Sequence, residues 1–429
     1  MKISKPTVVI DKSFFQAAGF APKTERDLLC LTMTDAQFIR LALRLARRGY
    51  GTTSPNPMVG AVLVKGGKTI GRGWHRRTGL PHAEIEALRD AQKRGHNPRG
   101  ATLYVTLEPC CTHGCTPPCT DAIIATGIKR VVIGAIDPNL KHSGRAFKIL
   151  RRAGITIDVF GVPRSRGTDN PSRSSRLKAG LQTKFAAECA RLNEAFNHWI
   201  VHRTPFVTVK AAMTLDGKIA TASGESKWIT GKKARAHGMK LRQGSDAILV
   251  GINTILADNP SLTARSRKGS RRLRRIILDS LARTPLAAKV VSDEQAALTT
   301  IVVGKYAPKK RVTALAKCVN VLVAPTARPS SLDPRHPTLV DLRWLLKKLG
   351  AEKVTSLLVE GGGEVNASFL LGGSAQRVAF FYAPKILGGR DSRKAVAGEG
   401  AKSLANMIQF RDVEWKRLGS DLLLTARVA

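Results

Sequence analysis

One histidine and two cysteines, too far apart in sequence to meet on a single helix or strand, constrain the fold of this chain more than any other feature. The run Pro81-His82-Ala83-Glu84 opens a helix-like stretch, Cys110 ends a strand-like run, and Cys119 follows two prolines at the start of another helix-like stretch. Prolines favour the first helical turn, where the helix dipole stabilises a thiolate. A fold in which these side chains converge must bring one strand end and two helix starts together.

Zinc is the ion that such a set of side chains favours. It binds nitrogen and sulfur tetrahedrally, and a catalytic site uses three protein ligands so that the fourth position is left for water. We predict His82, Cys110 and Cys119 as the Zn²⁺ ligands. Glu84 can lie beside the ion without binding it, accept a proton from the activated water and pass it to a leaving amine. The pattern is typical of zinc-dependent deaminases, with Glu84 as the catalytic residue.

Residues between the two cysteines keep the ligand set open. Eight residues separate Cys110 from Cys119, and Cys111, His113 and Cys115 are among them. A site with four protein ligands would be structural rather than catalytic. A structural site gives Glu84 no task, and this favours the catalytic interpretation.

Length and composition exclude several classes of protein. A chain of 429 residues is too long for one ordinary core, so two domains are expected. No apolar stretch reaches the roughly 20 residues that a bilayer span needs, and residues 1–20 lack the apolar centre of a signal peptide. The seven cysteines are odd in number and clustered, which favours metal binding over a disulfide framework. We therefore expect a cytoplasmic protein without a membrane partner.

The net charge is strongly positive. The chain has 71 Lys and Arg against 31 Asp and Glu, a formal charge of +40. The excess is spread over the whole length, whereas a nucleic-acid surface concentrates basic residues on one element. Only the runs Arg164–Lys184 and Arg265–Arg275 are dense, and both are expected to be loops. The charge therefore favours small anionic substrates, and nucleic acid is not the expected partner.

Apolar runs alternate in a way that predicts two α/β domains. A capped helix is expected to start at Asp35. The strand-like runs are Val59–Val64, Thr102–Leu107, Arg130–Ile136 and Thr156–Phe160 in the first domain and Phe206–Ala212, Ala247–Val250, Arg275–Asp279, Thr299–Val303, Val319–Ala324, Ser356–Glu360 and Arg377–Ala383 in the second. Ser, Arg, Gly and Asp dominate the stretch between them, which predicts a linker or long loop. The predicted division is an extension at 1–34, a first domain at 35–162, a linker at 163–184 and a second domain at 185–429.

Longer motifs around the predicted zinc ligands resemble one known family. They are Thr53-Ser54-Pro55-Asn56-Pro57-Met58-Val59-Gly60, Pro81-His82-Ala83-Glu84, Tyr104-Val105-Thr106-Leu107-Glu108-Pro109-Cys110, the segment from Cys110 to Cys119 and Asp137-Pro138-Asn139. Together they are similar to the riboflavin-biosynthesis deaminase family, including its long cysteine spacing. The similarity runs from about Asp35 to Val428 and so covers both domains.

The resemblance implies a fold and a reaction for the first domain. The fold would be a cytidine-deaminase-like α/β/α domain. The reaction would be hydrolytic deamination of 2,5-diamino-6-(5-phosphoribosylamino)pyrimidin-4(3H)-one, with Asn56 holding the pyrimidine ring near the zinc. By residue type alone, an asparagine between two prolines also fits a turn former, because its side chain bonds to its own backbone.

The second domain resembles the reductase half of bifunctional members of that family. The motifs are Val209 to Lys218, Ser226 to Thr230 and Gly251 to Arg265. They imply a dihydrofolate-reductase-like α/β fold and NADPH-dependent reduction of the ribosyl group to ribityl. Three consecutive glycines, Gly361 to Gly363, also follow a strand-like run, where backbone amides can approach a dinucleotide phosphate. Their spacing does not match G-x-G-x-x-G, so a plain turn is the alternative.

The resemblance also implies roles for single residues of the second domain. The NADPH residues would be Ala212, Trp228, Thr254, Asp258, Gly361, Gly362, Gly363, Glu364 and Val365. The substrate residues would be Ser226, Arg242, Leu262, Arg265 and Glu360. The two arginines suit a phosphate, because a guanidinium makes paired charge-assisted hydrogen bonds. The expected ligands are Zn²⁺, NADPH and a phosphorylated pyrimidine, and the family tendency implies a homo-oligomer.

Other functions share part of this pattern. A polynucleotide (tRNA) deaminase would use the same zinc chemistry and suit the positive charge, but it gives the reductase motifs no place. A zinc-stabilised nucleic-acid-binding protein would leave Glu84 and the Pro55-Asn56-Pro57 turn without a purpose. A chain with only one active half is the third alternative, although both residue sets are complete.

Overall fold

The computed structural model describes residues 33–113, 117–140, 142–160, 173–266, 269–271, 273–325 and 340–429. All but the last two residues of the predicted extension, 1–34, lie outside them. Among the described helices, none combines the length and the apolar character that crossing a bilayer requires. The two large sheets of these residues each have helices on both faces, and the predicted α/β class is confirmed for both halves.

The first half is built on a five-stranded sheet with strand order β2-β1-β3-β4-β5. Strand β1 is antiparallel to β2 and β3, whereas β3, β4 and β5 are parallel. The elements are α1 (Asp35–Ala46), β1 (Gly60–Lys65), β2 (Lys68–Trp74), α2 (Ala83–Lys93), β3 (Thr102–Val105), α3 (Cys119–Ala125), β4 (Arg130–Ile133), α4 (Arg145–Arg152) and β5 (Thr156–Val159). Thr34 caps the start of α1 through a capping box, as the predicted helix start at Asp35 requires.

Side chains that alternate along each strand divide the core of the first half into two layers. Ala61 and Leu63 of β1 pack with residues of α2, α3 and α4. Val62 and Val64 point to the opposite face and pack with α1. This sheet between two helical layers is the α/β/α arrangement that the sequence predicted.

Helix α2 approaches β2 more closely than side chains would allow. A Cβ atom at Gly71 would lie 2.3 Å from the Ala87 carbonyl oxygen, and one at Gly73 would lie 2.2 Å from that of Ala83. Such distances are far inside van der Waals contact, so glycine is needed at both positions. The contact fixes the first turn of α2, which follows His82, against bare backbone.

Two helices connect the halves: α5 (Arg173–Leu192) and α6 (Glu194–His202). Residues 173–184 were expected to form a linker or loop, and that expectation is wrong for their secondary structure. Phe185 and Cys189, four residues apart on α5, are buried in the α1 layer of the first half. This packing stabilises a helix whose earlier residues show no apolar pattern.

The second half has a nine-stranded sheet with order β13-β12-β11-β8-β14-β6-β15-β18-β17. Its strands are parallel from β13 to β15, while β18 and β17 are antiparallel to their neighbours. The strands are β6 (Phe206–Thr214), β7 (Lys218–Ala220), β8 (Ala247–Gly251), β9 (Ala264–Ser266), β10 (Gly269–Arg271), β11 (Arg274–Leu278), β12 (Thr299–Gly304), β13 (Asn320–Ala324), β14 (Ser356–Val359), β15 (Arg377–Ala383), β16 (Arg393–Lys394), β17 (Phe410–Leu418) and β18 (Asp421–Val428). The helices are α7 (Lys232–Gln243), α8 (Ile252–Asp258), α9 (Lys289–Ser292), α10 (Lys309–Ala316), α11 (Leu342–Ala351) and α12 (Gly363–Leu371).

Every predicted strand-like run coincides with a strand, and the largest end difference is Arg130–Ile136 predicted against Arg130–Ile133 observed. Strands β2, β7, β16, β17 and β18 were not predicted. The basic run Arg265–Arg275 was expected to be a loop, and this is wrong in part: Ala264–Ser266 and Gly269–Arg271 pair as a two-stranded hairpin, and β11 starts at Arg274. Of the other basic run, residues 164–172 lie outside the described residues.

Candidate active sites

Three side chains of the first half converge where β3 ends and two helices begin. His82 precedes α2, Cys110 follows β3, and Cys119 is the first residue of α3. Their ligand atoms all lie within 4.8 Å of one another. The sulfur atoms of Cys110 and Cys119 are each 3.4 Å from Nδ1 of His82. The predicted ligands are thus brought together by the start and end points of three different elements.

The spacing of these atoms fits a zinc ion. Zn–S bonds of about 2.3 Å and Zn–N bonds of about 2.0–2.1 Å at a tetrahedral angle put sulfur and nitrogen about 3.5 Å apart. The observed distance between His82 Nδ1 and either sulfur is 3.4 Å. One imidazole and two thiolates also match the soft donors that zinc prefers. These residues could hold Zn²⁺ with one coordination position free.

The rival ligands between the cysteines stay apart from this cluster where the structure describes them. Cys111 Sγ lies 3.8 Å from Nδ1 of His142. His113 is exposed, and Cys115 lies outside the described residues. Within the described ranges, the one group of metal-ligating side chains that meets is His82, Cys110 and Cys119.

Glu84 is the second residue of α2, two residues after His82, and is almost fully buried, with 3% of its surface exposed. Burial raises its pKa to about 7, and the nearby Cys110 acts in the same direction while His82 opposes it. Of the neighbouring thiols, Cys110 has a pKa that is lowered to about 4, because Cys119 donates a hydrogen bond to its sulfur. A carboxyl with a raised pKa beside a metal position is suited to accept and release a proton near neutral pH.

Asn56, predicted to hold the pyrimidine ring, is linked to this cluster through His75. Its Nδ2 lies 3.2 Å from Nε2 of His75, whose other nitrogen, Nδ1, lies 3.2 Å from the Pro81 carbonyl oxygen. A carbonyl oxygen only accepts, so Nδ1 carries the proton and Nε2 accepts from the Asn56 amide. Burial lowers the pKa of His75, which favours this neutral form. The Oδ1 atom of Asn56 is therefore turned away from His75.

In the second half, the candidate NADPH residues lie at the carboxyl ends of three adjacent parallel strands. Strand β14 pairs with β8 on one side and with β6 on the other. Ala212 lies on β6, Thr254 lies in the helix after β8, and Gly361 to Gly363 follow β14. Parallel strands end at one edge of the sheet, which is where open α/β sheets bind ligands. The topology thus explains why residues far apart in sequence meet.

The glycine turn after β14 leaves open space beside a helix start. A Cβ at Gly361 would lie 2.4 Å from the Cβ of Val365, and one at Gly363 would lie 2.3 Å from the Lys394 carbonyl oxygen. A Cβ at Gly362 would meet nothing within 4 Å. Helix α12 begins at Gly363, so its free backbone amides border this open position. These residues fit NADPH.

A buried ion pair lies beside that turn. Arg242 donates from Nε to Glu360 Oε1 at 2.8 Å and from Nη2 to Oε2 at 2.9 Å. Lys210 Nζ is 3.6 Å from Glu360 Oε2. Burial raises the pKa of Glu360, but the charges of Lys210 and Arg242 outweigh burial and hold it at about 2. The carboxylate is ionised, and the three side chains together carry one net positive charge.

The other predicted residues of the second half differ in how far they are buried. Leu262 is buried, while Arg265 is exposed and its Nε donates to Thr263 Oγ1 at 3.2 Å. The Thr263 carbonyl oxygen accepts from Arg242 at 3.3 Å, which joins this loop to the ion pair. The remaining candidates are the partly buried Ser226 and Val365, the exposed Asp258 and Glu364, and Trp228, which is 66% exposed beneath the Arg235 guanidinium.

Two residues that the sequence did not single out belong to these sites. His75 orients Asn56, and its ring meets that of His82 edge to face at 5.2 Å between centroids. Lys210 completes the pairing of Glu360. His75 directly follows β2, and Lys210 lies inside a motif that was quoted for other residues. Position at a strand end was the available signal for His75.

Comparison with protein families assigns both halves. Residues 32–135 match the family described as cytidine and deoxycytidylate deaminase zinc-binding region. Residues 205–424 match the RibD C-terminal domain.

Two curated relatives match along nearly their whole length. Riboflavin biosynthesis protein RibD of Actinobacillus pleuropneumoniae is 39% identical over 393 residues, which are 92% of this chain and 95% of the relative. The protein of the same name from Aquifex aeolicus is 41% identical over 390 residues, 91% of this chain and 97% of the relative.

Solved structures agree. Acinetobacter baumannii RibD superposes with a TM-score of 0.75 at 32% identity and covers 92% of this chain and 99% of its own. A Thermotoga maritima diaminohydroxyphosphoribosylaminopyrimidine deaminase/5-amino-6-(5-phosphoribosylamino)uracil reductase gives 0.75 at 35% identity, with the same coverage of 92% and 99%.

The ligand set can be tested by zinc content. We expect the purified chain to retain one zinc ion, and Cys110→Ala and Cys119→Ala each to lose it on dialysis, because two ligands hold zinc far more weakly than three. Cys111→Ala is the matched control and should keep its zinc. The measurement is the zinc-to-protein ratio by elemental analysis. Zinc lost from Cys111→Ala but kept by Cys119→Ala would contradict this ligand set.

Proposed function

This chain belongs to the RibD family of riboflavin biosynthesis proteins, and from that premise we propose which of its residues carry the two reactions. It is a bifunctional deaminase and reductase that uses Zn²⁺ and NADPH. The observation that carries the assignment of residues is the buried Glu84 beside three converged zinc ligands. The alternatives based on nucleic acid leave the second half unexplained.

The substrate of the first half is proposed to be 2,5-diamino-6-(5-phosphoribosylamino)pyrimidin-4(3H)-one. Water adds to the ring carbon that bears the 2-amino group, and ammonia leaves as a carbonyl forms. When bound, zinc supplies Lewis-acid activation of that water. Glu84 takes the proton of the water on its carboxylate and delivers it to the departing nitrogen. Its raised pKa supports both transfers, because the donor and acceptor forms are then close in free energy.

Asn56 is proposed to orient the pyrimidine ring. Its amide nitrogen is occupied by Nε2 of His75, so its Oδ1 is the atom available to accept from a ring N–H or an amino group. His75 has its own second contact to the Pro81 carbonyl oxygen, one residue before His82. Through His75, these contacts connect the Asn56 amide to the residue that precedes the zinc ligand His82.

The second half is proposed to bind NADPH along the glycine turn and to reduce the product of the first. The residues of this turn would hold NADPH, and the bound cofactor would supply the hydride that, together with a proton, converts the ring-opened ribosyl group at C1′ into a ribityl chain. Thr254 and Asp258 follow β8 on the same edge of the sheet as Gly361 to Gly363. With Ala212, Trp228, Glu364 and Val365, they are the proposed cofactor residues.

The phosphate of the substrate is proposed to bind Arg265, with Ser226, Leu262, Arg242 and Glu360 around the sugar. In the structure, Nε and Nη2 of Arg242 donate to Glu360, and its Nη1 donates to the Thr263 carbonyl oxygen. A bidentate contact of Arg242 with a phosphate would compete with these hydrogen bonds. The exposed guanidinium of Arg265 carries no such restriction and is the better phosphate ligand.

We propose that the chain is divided into an extension at 1–34, a deaminase domain at 35–162, a connecting segment at 163–184 and a reductase domain at 185–429. A cytoplasmic location is also proposed. It is supported by the five free cysteines of the described residues, Cys110, Cys111, Cys119, Cys189 and Cys318, which a reducing compartment maintains.

A homo-oligomer is proposed to form through the outer edge of the nine-stranded sheet. Strand β17 is the last strand of that sheet, so its outer backbone groups face no neighbouring strand of the described residues. Val413 and Trp415 on this strand are 50% and 59% exposed. A second copy would cover these apolar side chains by an equivalent edge.

We expect light scattering after size-exclusion chromatography to give at least twice the chain mass of 46.3 kDa. Trp415→Lys should shift the protein toward the monomer, because it places a charge in the proposed contact. Lys416→Ala, on the same strand, is the control and should stay associated. A monomeric parent protein would contradict the oligomer, and an associated Trp415→Lys variant would contradict this edge.

The deaminase assignment is tested by following ammonia release and NADPH oxidation together with the diaminopyrimidinone phosphate as substrate. We expect Glu84→Ala to lower ammonia release by at least about a hundredfold, the range of general acid–base catalysis. NADPH oxidation should persist in that variant when the deaminated substrate is supplied directly. Glu86→Ala, exchanged on the same helix, is the control. Ammonia release unchanged in Glu84→Ala would contradict the assignment.

The phosphate role of Arg265 is tested in the reductase reaction. Loss of one charge-assisted contact in Arg265→Ala should raise KM for the phosphorylated substrate about tenfold or more. The same variant should leave KM for the dephosphorylated substrate and the Kd for NADPH unchanged. Arg417→Ala removes another exposed arginine of this half and should change none of them. An equal loss with both substrates would mean that Arg265 does not bind the phosphate.

A further inference from the structure

The segment that carries Asn56 runs along the boundary between the two halves. We call residues 50–58, which precede β1, the Asn56 loop. Part of the loop is held by its own half, since Thr78 Oγ1 donates to the carbonyl oxygen of Thr53 and to that of Ser54 at 2.9 Å. Three further contacts reach the connecting helices and the second half. They lie on both sides of Asn56 in sequence.

The first of these contacts is made by Tyr50 at the start of the loop. Its Oη donates to the Lys240 carbonyl oxygen at 3.1 Å, near the end of α7. A Cβ atom at Gly244 would lie 2.0 Å from this Oη and 2.3 Å from Cζ. Tyr50 therefore occupies space that exists because residue 244 has no side chain. The backbone of Gly244 has an ordinary φ of −85°, so conformation does not explain the glycine.

The second contact joins Ser54 to the residue that precedes β8, a central strand of the second half's sheet. Ser54 Oγ donates to Asp246 Oδ2 at 2.7 Å, just before β8. The same oxygen accepts from the backbone nitrogen of Thr355 at 2.8 Å and from its hydroxyl at 2.7 Å. The carboxylate is thus fixed within its own half and offers Ser54 a rigid acceptor.

The third contact lies between the connecting helices and Met58, two residues after Asn56. Asn193 Oδ1 accepts from the Met58 backbone nitrogen at 2.7 Å, and its Nδ2 donates to the Met58 carbonyl oxygen at 2.9 Å. An asparagine in this position usually caps its own helix. Here Asn193 precedes α6 without capping it, is 4% exposed, and spends both polar atoms on the loop.

These contacts hold the loop two residues before and two residues after Asn56, while the Asn56 side chain itself contacts His75. The position of its Oδ1 therefore depends on groups outside the first half. We propose that Gly244, Asp246 and Asn193 are positioning residues for deamination, so that the reductase half and its connecting helices complete the deaminase site. This inference rests on the ring-binding role of Asn56 proposed above.

The arrangement has a consequence for α7. This helix presents Arg242 to the Glu360 pair, while its Lys240 carbonyl and the adjacent Gly244 receive Tyr50. The carboxyl end of α7 thus contributes Arg242 to the proposed substrate site of the second half and also holds Tyr50 of the first half in place. A change at Gly244 should reach the deaminase through Tyr50, since it touches no ligand of the zinc.

The first experiment compares Gly244→Ala with Gly238→Ala in the full-length zinc-loaded protein. Both introduce one methyl group near the same helix, but a Cβ at Gly238 would meet only Lys210 Cε, at 3.8 Å. We expect kcat/KM for ammonia release to fall about tenfold in Gly244→Ala, mainly through KM, because misplaced binding groups weaken substrate orientation. Zinc content should stay unchanged, and Gly238→Ala should deaminate like the parent. Equal deaminase constants for the two variants would overturn the inference.

A double-mutant cycle gives a test that does not depend on Gly244. Asn193→Ala should lower kcat/KM for deamination in the parent background but have little further effect when Asn56 is already alanine, because both changes remove one function. Additive losses would mean that Asn193 acts only on general stability and would overturn its positioning role. Ammonia release that survives Glu84→Ala would instead overturn the proposed function, so the two failures are distinguishable.

Discussion

The structure depends on the burial of two glutamate side chains, one in each half, and on the groups that compensate for their lost hydration. Burial of a carboxylate is costly unless a charge or hydrogen-bond donors compensate for the lost hydration. Glu360 faces Lys210 and Arg242, which hold its pKa at about 2 and keep it ionised. Glu84 is buried beside thiols and a single histidine, and its pKa rises to about 7. The same residue type therefore serves as a fixed charge in one half and as a proton carrier in the other.

Local sequence patterns predicted those parts of the molecule that are determined by residues close together in the sequence. The ligand residues His82, Cys110 and Cys119 sit at element ends marked by prolines, and the glycines after β14 sit in a turn. Strand β17 was missed because five of its nine residues, Arg411, Asp412, Glu414, Lys416 and Arg417, are charged at an exposed sheet edge. Helix α5 was missed because its stabilisation comes from tertiary packing near its carboxyl end. His75 contacts Asn56, and Lys210 pairs with Glu360. Both contacts depend on the tertiary fold, so the spacing of residues in the sequence did not predict them.

Polar and directional contacts hold the Asn56 loop against the connecting helices and the second half. A tyrosine hydroxyl, a serine hydroxyl and an asparagine amide each meet one partner across the boundary. Hydrogen bonds of this kind define direction more strongly than they contribute free energy, since water competes for the same groups. Contacts of this type suit an arrangement in which one loop must be held at a defined position. The parallel sheet of the second half supplies the rigid base, because Asp246 is fixed at the start of a fully buried strand.

The close approach of α2 to β2 bears on the unusual charge of the chain. The first turn of α2, which carries Glu84, rests on the bare backbone of Gly71 and Gly73, and the predicted zinc ligands lie at the ends of elements, with Cys119 buried and His82 and Cys110 partly buried. This fit is made by backbone atoms, so it does not require particular side chains on the exposed surface. The exposed lysines and arginines that bring the net charge to +40 can therefore be exchanged without loosening the contact between α2 and β2.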